Sequence, residues 1–232
     1  ANKELLARQG PELLRLAEEK GCDFYFEASV GGGIPIISPL RVGLAGNRVE
    51  RILGIVNGTT NYILTAMASG GGDLPSVLRE AQELGYAEAD PTNDVEGFDA
   101  RYKLTILASL GFQARVQVEQ ILCEGITRLV PQDIEYAREL GYGVKLLAIA
   151  RRIDGRIEAR VHPTLVPFSH PIASVAGVNN AIYVTGNAVG DTMFFGPGAG
   201  GLAAGSAVVG DIIEIARNIR AGSCGRLRCP EF

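Results

Sequence analysis

Apolar residues return along this chain with two periods, one helical and one alternating. Leu5, Leu6, Leu13, Leu14 and Ala17 recur at helical spacing, so residues 4–20 read as a helix stopped by Gly21. Pro11 interrupts that pattern and is expected to start the helix's second part. Residues 22–30, CDFYFEASV, are aromatic and apolar and run into three glycines, which predicts a strand. A short helix is expected from Pro35 to about Ala45 and a strand over 49–56. Helices follow over 59–67, with Asn57 as N-cap, and over 74–84, with Asp73 as N-cap. From Asp99 the helical spacing returns through Tyr102, Leu104, Ile106, Leu107 and Leu110, with a stop at Gly111. Pro131 opens another helix that Gly141 closes.

Strands over 144–153 and 156–162 are joined by Asp154-Gly155, a strong two-residue hairpin signal. A second hairpin pairs 181–185 with 188–195 across Gly186-Asn187. A glycine-rich turn at 196–201 then precedes a helix over about 203–219, and residues 221–232 lack periodicity and are expected to be disordered. Helices alternating with antiparallel hairpins predict an α+β fold, a mixed and largely antiparallel sheet with helices on one face. The other face needs cover, and a second copy of the chain is the simplest cover, so a homodimer through the sheet is expected.

Composition changes this picture little. The 232 residues are 47% apolar and 21% charged, ordinary for a globular protein, and a net charge of −4 suggests neither nucleic acid nor a membrane surface as partner. No apolar run reaches the length of a membrane span, and the first residues lack a signal-peptide core. Four scattered cysteines fit a reducing compartment, so the expected location is cytoplasmic. Glycine clusters at 31–33, 70–72 and 196–201 suggest places where backbone approaches something closely.

The chemistry concentrates in GYAEADPTNDVEGFDARYK, residues 85–103. Five carboxylates (Glu88, Asp90, Asp94, Glu96, Asp99) precede one lysine, Lys103. Asp99 and Lys103 are four apart and share a helix face with Ile106, Leu107 and Leu110, whereas Arg101, Thr105 and Ala108 lie opposite. Two readings stay open at this point. The pair is either a helix-start ion pair worth a few tenths of a kcal/mol or a partly desolvated lysine suited to proton transfer. Glu27, inside a predicted strand, is costly unless paired or bound to a cation. GPGAGG at 196–201 satisfies G-x-G-x-x-G, but the βαβ unit and later acid of a dinucleotide site do not follow. It reads instead as a helix N-terminus whose N–H groups could meet an anionic or polar ligand. Residues 90–95 lack EF-hand spacing. Cys123 reads as a small buried hydrophobe, and His162 and His170, each before a proline, as structural.

FEASVGGGIPII (26–37), GIVNGTTNYIL (54–64), ELGYAEADPTNDVEGFDARYKL (83–104), HPTLVP (162–167) and GPGAGG together resemble homoserine dehydrogenases, in order from Ala1 to about Arg217. The resemblance implies NAD(P)-dependent interconversion of L-homoserine and L-aspartate 4-semialdehyde, in threonine, methionine and isoleucine biosynthesis. It implies that Lys103 is the acid–base lysine, that Glu88 and Asp99 hold the substrate, and that Lys3, Gly85, Glu88 and Gly200 lie at the nicotinamide end of NAD or NADP. It further implies a monovalent cation, usually sodium, held by Glu27 and the carbonyls of Val30, Gly32 and Ile34. Three departures accompany it. No phosphate-binding Rossmann loop is present, so residues 1–22 are expected to be the last piece of a truncated nucleotide-binding domain, 23–201 the catalytic and dimerisation domain, 202–220 a helix returning to the nucleotide domain, and 221–232 the tail. A C-terminal regulatory domain carried by many relatives is also missing. Leu202-Ala203-Ala204 stands where the family often has Pro-Thr. Little or no turnover is then expected from this chain alone, and the alternative is a detached, non-catalytic dimerisation or ligand-binding module. An aspartate-semialdehyde dehydrogenase would need an activated cysteine, for which LCEGI around Cys123 offers no setting.

Overall fold

The computed structural model describes residues 2–70 and 72–225, so Ala1, Gly71 and most of the expected tail lie outside the described residues. The two predicted hairpins form the body of one six-stranded sheet. Its strands are β1 (Val49–Ile55), β2 (Leu122–Cys123), β3 (Tyr142–Ile153), β4 (Arg156–Pro167), β5 (Asn179–Gly186) and β6 (Gly190–Pro197). Their order is β2-β4-β3-β1-β5-β6; the short β2 runs parallel to β4 and all other pairs are antiparallel. The sheet is therefore mixed and largely antiparallel, as expected.

Asp154 and Gly155 both take left-handed backbone conformations, φ +49° and +78°, as a tight two-residue turn demands. β4 continues past His162-Pro163 to Pro167, at a sheet position where β2 has already ended and an edge proline is tolerated. The second hairpin pairs Gly186 with Gly190 and so has a three-residue loop, one longer than expected. Asn187 explains the extra residue. Its N–H donates to the Arg48 carbonyl and its Oδ1 accepts from the Arg48 N–H, which ties the loop to the start of β1.

The helices are α1 (Lys3–Glu19), α2 (Gly58–Ala68), α3 (Leu74–Glu83), α4 (Thr92–Val95), α5 (Phe98–Phe112), α6 (Pro131–Glu139) and α7 (Gly201–Ala221). Asn57 and Asp73 cap α2 and α3 through their side-chain oxygens, as the sequence predicts. α5 is the central helix, lying on β1, β3 and β4. Thr105 and Ala108, placed by the helical spacing on the face away from the core, are also buried, because α1 packs behind α5. α5 passes through Gly111 and ends at Phe112. A Cβ on Gly111 would meet Ile52 Cδ1, so that glycine allows close approach to β1 and does not stop the helix. α1 likewise runs unbroken through Pro11. Its buried stripe of Leu6, Ala7, Gly10 and Leu14 packs on α5 and outweighs the single backbone bond that proline removes.

Two other expectations are corrected. Residues 22–30 form no strand; only a 3-10 turn, Glu27–Ser29, occurs there. The short helix expected from Pro35 starts two residues later, at Ile37, and continues as a π-helical turn over Pro39–Gly43. One side chain accounts for both. The Glu27 carboxylate accepts the N–H groups of Ile36, Ile37 and Ser38 at 2.6, 2.6 and 2.8 Å, and the Glu27 N–H donates to Asp211 of α7. The segment spends its polar groups on this loop-to-loop capping and not on a ladder. The sheet's helix-covered face holds the main core, including Ile52, Val144, Leu146, Ala148 and Ile182. The opposite face carries a smaller cluster, Ile55, Leu147, Ile149, Val166, Ala181 and Tyr183, partly roofed by Ile172 and Val175 of the chain itself.

Candidate active site

Strand β1 ends at Ile55, and the next two residues hold the acids and the lysine of a polar cleft. Val56 presents its carbonyl and Asn57 its carboxamide. Facing them, Gly97 adopts φ +79° and lets α5 begin sharply, so Asp99 falls in its first turn and Lys103 one turn later. Lys103 Nζ donates to Asp99 Oδ2 and to the Val56 carbonyl, both at 2.7 Å. Lys3, from the first turn of α1, reaches Asp99 Oδ1 at 2.7 Å. Asn57 Nδ2 donates to Asp99 Oδ2 at 2.9 Å and to Asp94 Oδ1 at 2.6 Å. Asp99 is only 5% exposed and the Lys103 side chain 12%, so this is not a solvated helix-start pair.

The charges are arranged to keep one acid ionised and to strain another. Burial pushes the Asp99 carboxyl up, yet Lys103 and Lys3 together outweigh it and hold the group below the usual carboxylate range. Asp94 is raised by burial, with Asp99 adding to the rise, and the Asn57 bond only partly offsets it. For Lys3 burial acts downward, but Asp99 and its neighbours bring the net shift above the ordinary lysine value.

The cleft holds about 780 Å³ and is lined by Lys3, Glu88, Asp94, Asp99, Lys103 and, on the far wall, the Gly198–Gly201 turn. Of the residues singled out from sequence, Lys3, Gly32, Glu88, Asp99, Lys103 and Gly200 meet here. The Glu88 carboxylate makes no hydrogen bond or ion pair with the described residues. Gly85 does not line the cleft. It sits after α3 at φ +75°, where its N–H bonds the Gln82 carbonyl and that of Tyr86 bonds Ala81, a helix-ending turn that accounts for the glycine. Glu27, Val30 and Ile34 are buried beside the cleft; Gly32 is pressed against the Gly198 carbonyl so closely that a Cβ would reach within 2.5 Å of it. Two of the three glycine clusters thus meet each other.

Cys123 is half-buried, its thiol donates to the Glu96 carbonyl, and burial pushes its pKa up, the opposite of an activated nucleophile. His170 accepts the Ile172 N–H and His162 accepts from Arg160, both structural. Asp94, one of the five carboxylates singled out, lines the cleft although no role was read for it, and Asn57, which bonds both it and Asp99, was missed. The only sequence signal at Asn57 was its cap motif, which says nothing of a long-range partner.

The homoserine dehydrogenase family model matches residues 35–213. The chain belongs to the homoserine dehydrogenase family. It is 51% identical over 225 residues to the homoserine dehydrogenase of Bacillus subtilis, covering 97% of this chain and 52% of that protein. The crystal structure of a homoserine dehydrogenase from Thiobacillus denitrificans superposes with a TM-score of 0.95 at 50% identity, over 98% of this chain and 53% of that one. A hyperthermophilic archaeal homoserine dehydrogenase mutant in complex with NADPH is 33% identical with a TM-score of 0.79, over 92% of this chain and 61% of that one. This homoserine dehydrogenase family member thus spans about half the length of the curated relatives it matches. No helix among its described residues is long and apolar enough to cross a membrane.

Proposed function

We propose that this chain supplies substrate binding and proton transfer for the NAD(P)-dependent interconversion of L-homoserine and L-aspartate 4-semialdehyde. The observation that carries the reading is the buried Asp99 carboxylate shared by Lys3 and Lys103 on a polar cleft. A bound nicotinamide cofactor supplies or accepts the hydride at the carbon bearing the aldehyde or hydroxyl group. Lys103 gives its Nζ proton to the aldehyde oxygen in one direction and, when neutral, takes the hydroxyl proton in the other. Asp99 and the Val56 carbonyl aim that nitrogen. Glu88, with its unshared carboxylate, and Asp99 hold the substrate's ammonium group.

Lys3, Gly85, Glu88 and Gly200 serve the nicotinamide end of NAD or NADP. The NADPH complex of the archaeal relative and the glycine wall opposite Lys103 support this assignment, more directly for Lys3, Glu88 and Gly200 than for Gly85. A monovalent cation, read as sodium, takes the carbonyls of Val30, Gly32 and Ile34. Left-handed Gly31 and Gly32 support it, as does the absence of any backbone N–H donating to those three carbonyls among the described residues. Glu27 keeps one of about four lone-pair directions after accepting three N–H groups. Exposed rows on α1 (Leu5, Leu16) and α7 (Val208, Val209, Ile212, Ile213) support reading residues 1–22 and 202–220 as the sides of a nucleotide-binding domain. The second sheet face, where Phe195 is exposed opposite Ala181, supports a homodimer there.

The test is L-homoserine-dependent reduction of NADP+ by the full-length polypeptide. Lys103→Ala should lower kcat by about 10²- to 10⁴-fold with NADP+ affinity within about threefold of wild type. Near-normal kcat in that variant, or a wild type that oxidises no homoserine, overturns the reading.

A further inference from the structure

We propose that Asn57 is a positioning residue for this chemistry, its carboxamide tying the Asp94 and Asp99 carboxylates to the junction of β1 and α2 so that both meet the cleft in one arrangement. The proposal rests on the function read above.

Asn57 is 5% exposed and uses every hydrogen-bonding direction of its side chain. Its Oδ1 accepts from the Thr60 N–H and the Thr60 hydroxyl, both at 2.9 Å. Its Nδ2 gives one hydrogen to Asp94 Oδ1 and the other to Asp99 Oδ2. These partners fix the amide orientation, because a backbone N–H can meet only the oxygen and an ionised carboxylate only the NH2 group.

The two acids arrive on separate elements, Asp94 on the four-residue α4 and Asp99 on α5, and each raises the other's cost of ionisation. An NH2 group between them serves both with two hydrogens. A serine hydroxyl has one hydrogen, and an aspartate carboxylate has none. The same junction also holds the lysine. The Val56 carbonyl and Asp99 Oδ2 both accept from Lys103 Nζ, so the amide that restrains Asp99 Oδ2 restrains the geometry of Lys103.

Helix capping is the competing account of this residue. Asp and Ser cap about as well as Asn, so capping alone predicts that either replaces it at little cost. The bridge predicts otherwise. Asn57→Asp would keep the bond to the Thr60 N–H but set a third carboxylate against Asp94 and Asp99. The groups facing Asp94 are Asn57 at the β1–α2 junction, Thr59 from α2, Asp99 and Lys103 from α5, Lys3 from α1, and Glu88 and Asp90 along the cleft rim. Of these the Asn57 amide is the closest donor, and it opposes the effect of burial.

The experiment is a carboxyl-carbon NMR titration of Asp94 and Asp99 in the full-length polypeptide, wild type against Asn57→Ser and Asn57→Asp, with thermal melting and the pH profile of homoserine oxidation alongside. Asn57→Ser should melt within a few degrees of wild type yet raise the Asp94 midpoint by about one pH unit. The acid limb of kcat/KM should move up by the same amount, and Asn57→Asp should move it further. An Asp94 midpoint within about 0.2 unit of wild type in folded Asn57→Ser overturns the proposal. So does an Asn57→Asp variant with the wild-type pH profile. Should the serine variant fail to fold, the aspartate variant, which keeps the cap, is read by the same two criteria. Because the titration needs no turnover, a shifted Asp94 in a protein that oxidises no homoserine supports the bridge and defeats only the functional reading.

Discussion

The Nζ of Lys3, in the first turn of α1, lies 2.7 Å from Oδ1 of Asp99, in the first turn of α5. The other oxygen of that carboxylate is 2.7 Å from Lys103 Nζ. One buried acid therefore serves two lysines from different elements, so it joins α1 to α5 as well as aiming Lys103. Removing it leaves Lys103, little exposed, without its counter-charge. Asp99→Asn is expected to lower unfolding free energy by about 2–4 kcal/mol, whereas Lys3→Ala, removing a side chain 44% exposed, should cost under about 1 kcal/mol. Urea denaturation of the two variants checks the ranking.

The same acid gives a pH signature. Its folded pKa lies below the ordinary value. The stability it contributes is thus present above the unfolded pKa, near 3.9, and is lost as pH falls through the lower folded pKa. The gap between wild type and Asp99→Asn should be level from about pH 5 to 7 and begin to shrink below about pH 4. A gap that keeps its full size at the acid limit of folding would contradict this.

Lys145 predicts the opposite end of the scale. It is 7% exposed on β3, its ammonium held by the Val175 carbonyl and Asn61 Oδ1, and burial brings its pKa down to about 8. No carboxylate offsets that burial. A lysine with a depressed folded pKa leaves the unfolded chain holding more protons between about pH 8 and 10.5, so stability rises with pH over that window. Wild type should gain about 2 kcal/mol there and Lys145→Met should gain none, as read from urea midpoints. Parallel curves for the two proteins would refute the assignment.

Gly125 holds α4 in place. A Cβ there would overlap the Val95 carbonyl, and Glu96 Cα would lie within 2.5 Å, at the point where the Ile126 N–H bonds Val95. Gly125→Ala should lower Tm in line with a loss of about 2–4 kcal/mol and, by shifting Asp94, weaken homoserine oxidation. A variant with wild-type Tm would show that α4 can move without cost.

What could be read without coordinates was local. The Asp154-Gly155 turn, the caps at Asn57 and Asp73, and the Asp99–Lys103 pair each depend on residues within a few positions, and all four appear as expected. The expectation of a strand over 22–30 failed because a strand needs partners, and Glu27 drew the backbone of residues 36–38 into capping bonds instead. Pro11 and Gly111 misled for a similar reason: α1 packs against α5 and α5 against β1, and that packing outweighs the helix-breaking tendency of each residue.

The sequence by itself determined the helix and hairpin segments, the family, and the order in which acids and lysine arrive at 88–103. Tertiary structure alone decided that Asp99 is shared by Lys3 and Lys103 and that Asn57 stands between Asp94 and Asp99. The physical reason is range. Spacing along a helix or a turn is set by backbone geometry within a few residues, whereas the burial and charge of this cleft exist only where α1, α4, α5 and the end of β1 are brought together.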